Sequence, residues 1–316
     1  MPLNYRFKKL GRKHLVTDEL GGFRFVPGKI VSGGRGFSGE KLRTLLGLQQ
    51  KVLKEPLAID PLSAAYGRKH CALFNSPSLH ILVVTLRCDH ACSYCQASAC
   101  APDVRGRDMT RKVADKALDI IMSSPSRLLT IEFQGGEPLL NFDIIQYVVR
   151  TAKKRALDHG KTLSFSLVSN FMFMDDRIFE FCIREGLGVS TSLDGPKDIH
   201  NTQRISRKKG VDPHGIVTRW IRRFQEASQK GRGVRSIGAL TTLTRQAIAY
   251  PREIVDEYVG LGLSVIFLRP VQPFGRMKKD GSRDLSVPAD RFIRFYRKAM
   301  GRIFEVNRQW LLFREA

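Results

Sequence analysis

From Leu79 onward, short apolar runs rich in β-branched residues alternate with longer stretches of helical periodicity. No other feature restricts the possible folds as strongly. The strand-like runs are Leu79 to Leu86, Leu128 to Phe133, Leu163 to Val168, Gly188 to Leu193, Val234 to Leu243 and Leu263 to Leu268. Between them, Thr110 opens a helical pattern carrying Val113, Ala117, Leu118, Ile121 and Met122. Further helices are expected over Phe142 to Leu157, Asp176 to Glu185 and Pro213 to Gln229, with another starting at Pro251. Six βα repeats imply parallel strands joined by right-handed crossovers. Such a sheet is either doubly wound and open or an incomplete TIM-like barrel, and periodicity does not choose between them. In both, chemistry belongs at the carboxyl ends of the strands.

Residues 1–70 read as a separate α+β extension. Leu15 to Thr17 and Phe23 to Val26 flank Asp18-Glu19-Leu20-Gly21-Gly22, the pattern of two strands and a tight connection. Ser38 is placed to cap a helix carrying Leu42, Leu45, Leu46 and Leu48. The division expected is therefore an extension at 1–70, a core at 75–275 and a helical segment at 276–316. The extension serves either as packing or as a peptide-recognition module.

Immediately after the first core strand comes Arg87-Cys88-Asp89-His90-Ala91-Cys92-Ser93-Tyr94-Cys95, with three cysteines spaced C-x3-C-x2-C. Three thiolates this close suit the corners of an iron–sulfur cluster, and a cubane bound by three of them keeps one iron open for an exchangeable ligand. The alternative is structural zinc completed by His90 or Cys100, which lacks the separated second pair that zinc sites usually use. A disulfide framework is disfavoured by six cysteines in 316 residues and the absence of a secretory pattern in Met1 to Leu20. The second core strand runs into Gln134-Gly135-Gly136-Glu137-Pro138, where paired glycines allow close approach to the backbone and a carboxylate can accept from an ammonium group.

This cysteine loop followed by Gly-Gly-Glu-Pro resembles the radical S-adenosylmethionine (SAM) enzymes. The resemblance implies a partial (β/α)6 TIM-like barrel, a [4Fe-4S] cluster on Cys88, Cys92 and Cys95, and SAM on the remaining iron. Reductive cleavage of SAM would then deliver a 5′-deoxyadenosyl radical to the substrate. By the same resemblance Tyr94 lies beside the adenine, and Gly135, Gly136, Glu137 and Pro138 hold the methionine amino group. Ser169-Asn170 stands where relatives carry Thr-Asn-Gly. The run Ser192-Leu193-Asp194-Gly195-Pro196, followed by His200 and Arg204, resembles the peptide-modifying subgroup that includes anaerobic sulfatase maturases. That match places Ser192 on the SAM ribose and Arg204 on its carboxylate, with Asn170 and Asp194 shaping the pocket.

Two departures bear on the subgroup. Sulfatase maturases place a carboxylate near the end of strand six, whereas Phe267 to Gly275 carries none. The remaining cysteines, Cys71, Cys100 and Cys182, all precede that strand, so either the chain stops before the subgroup's cysteine-rich SPASM domain or it works without one. With the N-terminal hairpin, the pattern is most similar to the maturases of His-Xaa-Ser peptide systems.

Charge adds an expectation about partners. Fifty-three Lys and Arg against 30 Asp and Glu give a formal charge of +23, concentrated in Lys197 to Arg235 and Arg269 to Arg314. Such a field favours acidic peptides, nucleic acid or an acidic protein. The partners expected are a peptide or small protein, and a reductant such as flavodoxin or ferredoxin; RNA is the second choice and a membrane is not expected. The compartment expected is the cytoplasm. The competing functions are radical SAM modification of RNA and a cluster- and SAM-binding protein without catalysis.

Overall fold

The computed structural model describes residues 5–18, 23–27, 76–232, 237–272, 274–275, 285–308 and 313–315. The chain divides into two compact units, Met1–Ser76 and Pro77–Ala316. The helix expected after Ser38, together with Cys71, Arg276, Lys278 and Lys279, lies outside the described residues.

In the first unit β1 (Tyr5–Leu10), β2 (Lys13–Asp18) and β3 (Phe23–Pro27) form an antiparallel sheet in that order. Gly11, at φ +59, turns β1 into β2 between the paired residues Leu10 and Lys13. Leu15 of β2 is opposite Phe25 of β3, the expected hairpin, and β1 is an additional strand.

The second unit holds a six-stranded parallel sheet. Its strands are β4 (Leu79–Thr85), β5 (Leu128–Gly135), β6 (Thr162–Val168), β7 (Gly188–Ser192), β8 (Gly238–Leu243) and β10 (Leu268–Pro270). They lie side by side in chain order. A doubly wound sheet reverses its order at a switch point; this one never does, so it is the open, partial (β/α)6 barrel. The crossovers are α1 (Arg111–Met122), α2 (Phe142–Asp158), α3 (Asp176–Glu185), α4 (Lys197–Gln203), α5 (Pro213–Gln229) and α6 (Pro251–Gly260), and α7 (Ala289–Asn307) follows β10. Thr110 caps α1 and Asp175 caps α3, each accepting a bond from the backbone of its first turn. Gly186 ends α3 in the left-handed conformation.

The two faces of this sheet differ completely. Leu82, Val84, Leu129, Ile131, Phe133, Phe165, Leu167, Val189, Ala239, Leu243 and Leu268 are buried in one core with the apolar stripes of the helices. The strand residues one out of phase with these point the other way and, Thr85 at the end of β4 apart, none is buried.

Strand six differs from its expectation of Leu263 to Leu268. Leu263 completes the end of α6, where Gly262 at φ +70 turns the chain and Leu263 N bonds back to Tyr258 O at 3.0 Å. The two-residue strand β9 (Val265–Ile266) pairs with β11 (Arg314–Glu315), and the barrel strand is β10, pairing with β8. Helix α4 was not expected at all. No described helix is long and apolar enough to cross a membrane.

Candidate active site

The cysteine loop is held at its base and clamped from its sides. At its base Thr85 donates to Asp108 at 2.6 Å, and Arg87 grips both Asp108 oxygens at 2.8 Å while donating to Pro102 O and Leu140 O. On one flank Cys88 N donates to Cys100 O and Cys100 N to Leu86 O, both at 2.9 Å. On the other, residues 203–207 run antiparallel to residues 89–93. Ala91 N reaches Ile205 O at 2.8 Å, Arg207 N reaches Asp89 O at 2.7 Å, and Ser93 N reaches Gln203 O at 3.3 Å. The chain leaving α4 therefore closes the loop like a short strand.

The glycine pair forms the third side. Gly136 N donates to Thr85 O at 2.8 Å and Glu137 N to Arg87 O at 2.7 Å. A Cβ on Gly135 would stand 2.1 Å from Thr85 O, and one on Gly136 would stand 2.2 Å from Arg87 O. The close approach expected of a ligand is thus made first by the chain itself, which seats the cysteine loop on the end of β5. Gly275, at φ +62 beyond β10, does the same from the far edge: a Cβ there would meet Cys95 O and Gln96 O at 2.4 Å.

Within this frame Cys88, Cys92 and Cys95 are free thiols, the first buried and the others half-buried. His90 N donates to Cys88 Sγ and Ala99 N to Cys95 Sγ, each at 3.4 Å, and Asn170 Nδ2 lies 3.7 Å from Cys88 Sγ. Burial pushes the Cys92 thiol up to about 11 against the pull of Arg204, and pushes Cys88 in the same direction. Cys88 and Cys92 are therefore neutral until a metal displaces their protons. Three soft sulfur donors on one preorganised loop, with N–H groups aimed at two of them, fit an iron–sulfur cluster.

Beside Cys88, Asp89 and His90 are both buried. With Cys88 they place ligand-type atoms within 4.8 Å of one another. Their polar atoms face each other and Asn170, however. His90 Nδ1 is 2.9 Å from Asp89 Oδ2, and Asn170 Nδ2 is 2.8 Å from Asp89 Oδ1 and 2.7 Å from His90 Nδ1. Burial raises the Asp89 carboxyl, but His90 and Asn170 more than offset it and hold it below the usual range. Asn170 in turn precedes Phe171, a fully buried residue at φ +64. A non-glycine residue in that conformation is strained by roughly 1–2 kcal/mol, and the ring is held by Phe224 at 5.9 Å.

Two buried carboxylates complete the strand ends. Glu137, wholly buried, accepts from Leu139 N at 3.1 Å, Ser169 Oγ at 2.8 Å and Asn170 N at 2.8 Å. Burial pushes its carboxyl up to about 7. Pro138 follows it into a short 3-10 turn and is buried. Asp194, also wholly buried, accepts from Tyr94 Oη, from Arg204 Nε and Gln203 Nε2 at 3.1 Å, and from Thr242 N at 3.0 Å. It ties the cysteine loop, α4 and β8 to the end of β7. Arg204 also stacks on the Tyr94 ring at 5.4 Å. Its terminal nitrogens, like Ser192 Oγ, have no partner among the described residues. His200 is buried, accepting from Asp194 N at 3.3 Å through Nδ1.

The expected site residues thus gather at the carboxyl ends of consecutive strands. Glu137 and Asp194 turn into the protein, whereas Ser192 and Arg204 keep free donors. Sequence reasoning missed the clamp of residues 203–207, the Thr85–Arg87–Asp108 brace and Gly275.

A profile of the radical SAM superfamily matches residues 82–262, more than half of the chain. The chain belongs to the radical SAM superfamily. That family uses a [4Fe-4S] cluster and SAM, and the donor set at Cys88, Cys92 and Cys95 fits this cluster. An uncharacterized protein of Methanocaldococcus jannaschii, MJ0907, is 30% identical over 195 residues, covering 61% of this chain and 62% of that one. A cysteine-type anaerobic sulfatase-maturating enzyme of Clostridium perfringens is 25% identical over 158 residues, covering 48% of this chain and 42% of that enzyme. The chain thus spans about three-fifths and two-fifths of these relatives. The fold matches the solved structure of native anSMEcpe with bound AdoMet and Cp18Cys peptide, with a TM-score of 0.63 at 18% identity, over 75% of this chain and 62% of that one.

Proposed function

We propose that this radical SAM chain modifies a ribosomally made peptide or small protein at an unactivated C–H bond. The observation that carries this reading is the uncovered face of the sheet, which leads along the barrel to the clamped cysteine loop. An extended chain fits such an open face better than a closed pocket does. Peptide-directed relatives support it, since the C. perfringens enzyme matures sulfatases by name and anSMEcpe is solved with a peptide.

A cluster and SAM bound here, given one electron from a ferredoxin- or flavodoxin-class donor, would supply radical chemistry able to remove a hydrogen atom from the substrate. The chain's own residues prepare for this. Cys88, Cys92 and Cys95 hold the cluster. The backbone at Gly135 and Gly136 receives the methionine amino group, Ser192 Oγ the ribose, and the free nitrogens of Arg204 the carboxylate. Tyr94 fixes the side of the adenine pocket through its bond to Asp194. Glu137, Pro138, Ser169, Asn170 and Asp194 act as positioning residues, because their polar atoms are spent on holding strand ends together. The finer assignment, to maturases of His-Xaa-Ser peptide systems, is supported by the N-terminal hairpin and by the missing carboxylate after strand six.

The test is co-expression with small open reading frames that neighbour the gene, followed by mass spectrometry. A peptide mass change that requires Cys88, Cys92 and Cys95 is expected. Unchanged peptides alongside a new modification in bulk RNA would overturn the peptide reading in favour of RNA.

A further inference from the structure

The uncovered sheet face carries an alternation that the proposed chemistry does not yet use. Register places Leu79, Ile81 and Val83 of β4 beside Thr130, Glu132 and Gln134 of β5, and Thr130 and Glu132 beside Ser164 and Ser166 of β6, where Val168 follows in the same phase. The face continues through Ser190 and Ser192 of β7, Leu240 and Thr242 of β8, and Arg269 of β10. Among the described strand residues of this face Glu132 is the one carboxylate and Arg269 the one cation. Three strands separate them and no ion pair joins them.

Glu132 is half-buried and, among the described residues, is held by neutral groups alone. Ser166 Oγ donates to one carboxylate oxygen at 2.9 Å, and Gln134 Nε2 donates to the other. A carboxylate has about four acceptor positions, so two remain open. A carboxylate partly withdrawn from water, with no cation beside it among the described residues, can gain a charged partner. It is also aimed, because both oxygens are fixed by neighbours on the sheet. Gly135 lies three residues further along β5, about 10 Å by the rise of a strand.

We propose that Glu132, oriented by Ser166 and Gln134, is a subsite in the barrel for a cationic side chain of the substrate, an ammonium or guanidinium group. The proposal rests on the peptide-modifying reading above. A charge-assisted bond from such a group completes the carboxylate's open positions. The acidic attraction expected from the basic surface then governs encounter, and the lumen selects a cation at the point of reaction.

The probe is a panel of capped peptides that differ only in a central Lys, Arg, norleucine or Glu. Peptide-dependent 5′-deoxyadenosine formation is measured with the reconstituted wild-type protein and with Glu132→Gln. The wild type should show a KM for the Lys or Arg peptide about ten- to a hundredfold below that for norleucine, the worth of a hydrogen bond to a charged group. Glu132→Gln should remove that preference and leave the norleucine KM in place. Iron content and melting temperature report folding. If either falls, Glu132→Asp, which keeps the charge but withdraws it, is measured instead and should narrow the same ratio. An unchanged Lys-to-norleucine ratio in the folded variant, or a wild-type preference for Glu, overturns the subsite alone. A wild type that turns over none of the panel, while processing a neighbouring encoded peptide that lacks Lys and Arg, overturns it too. Wild-type protein that changes no peptide at all and modifies RNA instead overturns the underlying reading.

Discussion

The two faces of the six-stranded sheet are built from the same strands and obey opposite rules. On β5, Leu129, Ile131 and Phe133 are buried against helices, while Thr130, Glu132 and Gln134, one residue out of phase, are not. The covered face is a continuous packed layer whose side chains are interchangeable in chemistry and constrained in volume. The uncovered face is aliphatic on β4 and carries Ser and Thr on β6, β7 and β8, which add little to stability and leave room and hydrogen-bonding groups for a substrate. Stability and function are thus divided by a period of two along each strand.

That division can be attacked directly. The largest expected stability effect is Phe133→Ala, which empties a fully buried position stacked on Phe165 at 6.4 Å. Denaturant melts should show a loss of about 3–5 kcal/mol.

Glu137 comes next, as a carboxylate at the strand end that belongs to the interior. Burial lifts it from the ordinary 4.5 to about 7, so folding favours its protonated form. Its contribution is full below about pH 4.5 and is lost as the pH rises through about 7. Over that window the apo wild type should lose up to about 3 kcal/mol more than Glu137→Gln does. Parallel stability curves for the two proteins would show that Glu137 is not held as described.

Gly136→Ala pushes a Cβ into the carbonyl of Arg87, backbone that cannot rotate away. A loss of about 1–3 kcal/mol is expected, accompanied by poor iron uptake because the displaced segment carries Cys88. Ser164→Ala, on the uncovered face, should stay within about 0.5 kcal/mol. A large loss there would mean that the face is packed after all.

Much of the architecture was legible because the core strands and helices each carry one dominant period. Helix α3 begins and ends where Asp175 and Gly186 signal it, and α5 begins where Pro213 does. The motif residues at Cys88, Gly135 and Asp194 could be placed because each ends a recognisable strand. What could not be read were pairings with no local signal. The antiparallel clamp of residues 203–207 on residues 89–93 is made by backbone atoms, which sequence does not mark. Strand six was misplaced because Leu263 is apolar for the sake of the α6 end rather than the sheet. The inward turn of Glu137 was hidden too, since a carboxylate after two glycines looks the same whether it faces a ligand or the adjoining strand. Glu132 did leave a signal. A lone charge within Leu-Leu-Thr-Ile-Glu-Phe-Gln breaks the apolar run expected of a fully covered parallel strand.

The central claim is that the cysteine loop at the carboxyl end of this sheet is a radical SAM centre. Anaerobic reconstitution with iron and sulfide, followed by Mössbauer spectroscopy and assay of 5′-deoxyadenosine from SAM under reduction, tests it most directly. One [4Fe-4S] cluster per chain and reductant-dependent 5′-deoxyadenosine are predicted, both abolished by Cys92→Ala. Four-coordinate zinc with no iron uptake, or a loaded cluster with bound SAM and no 5′-deoxyadenosine, would contradict it.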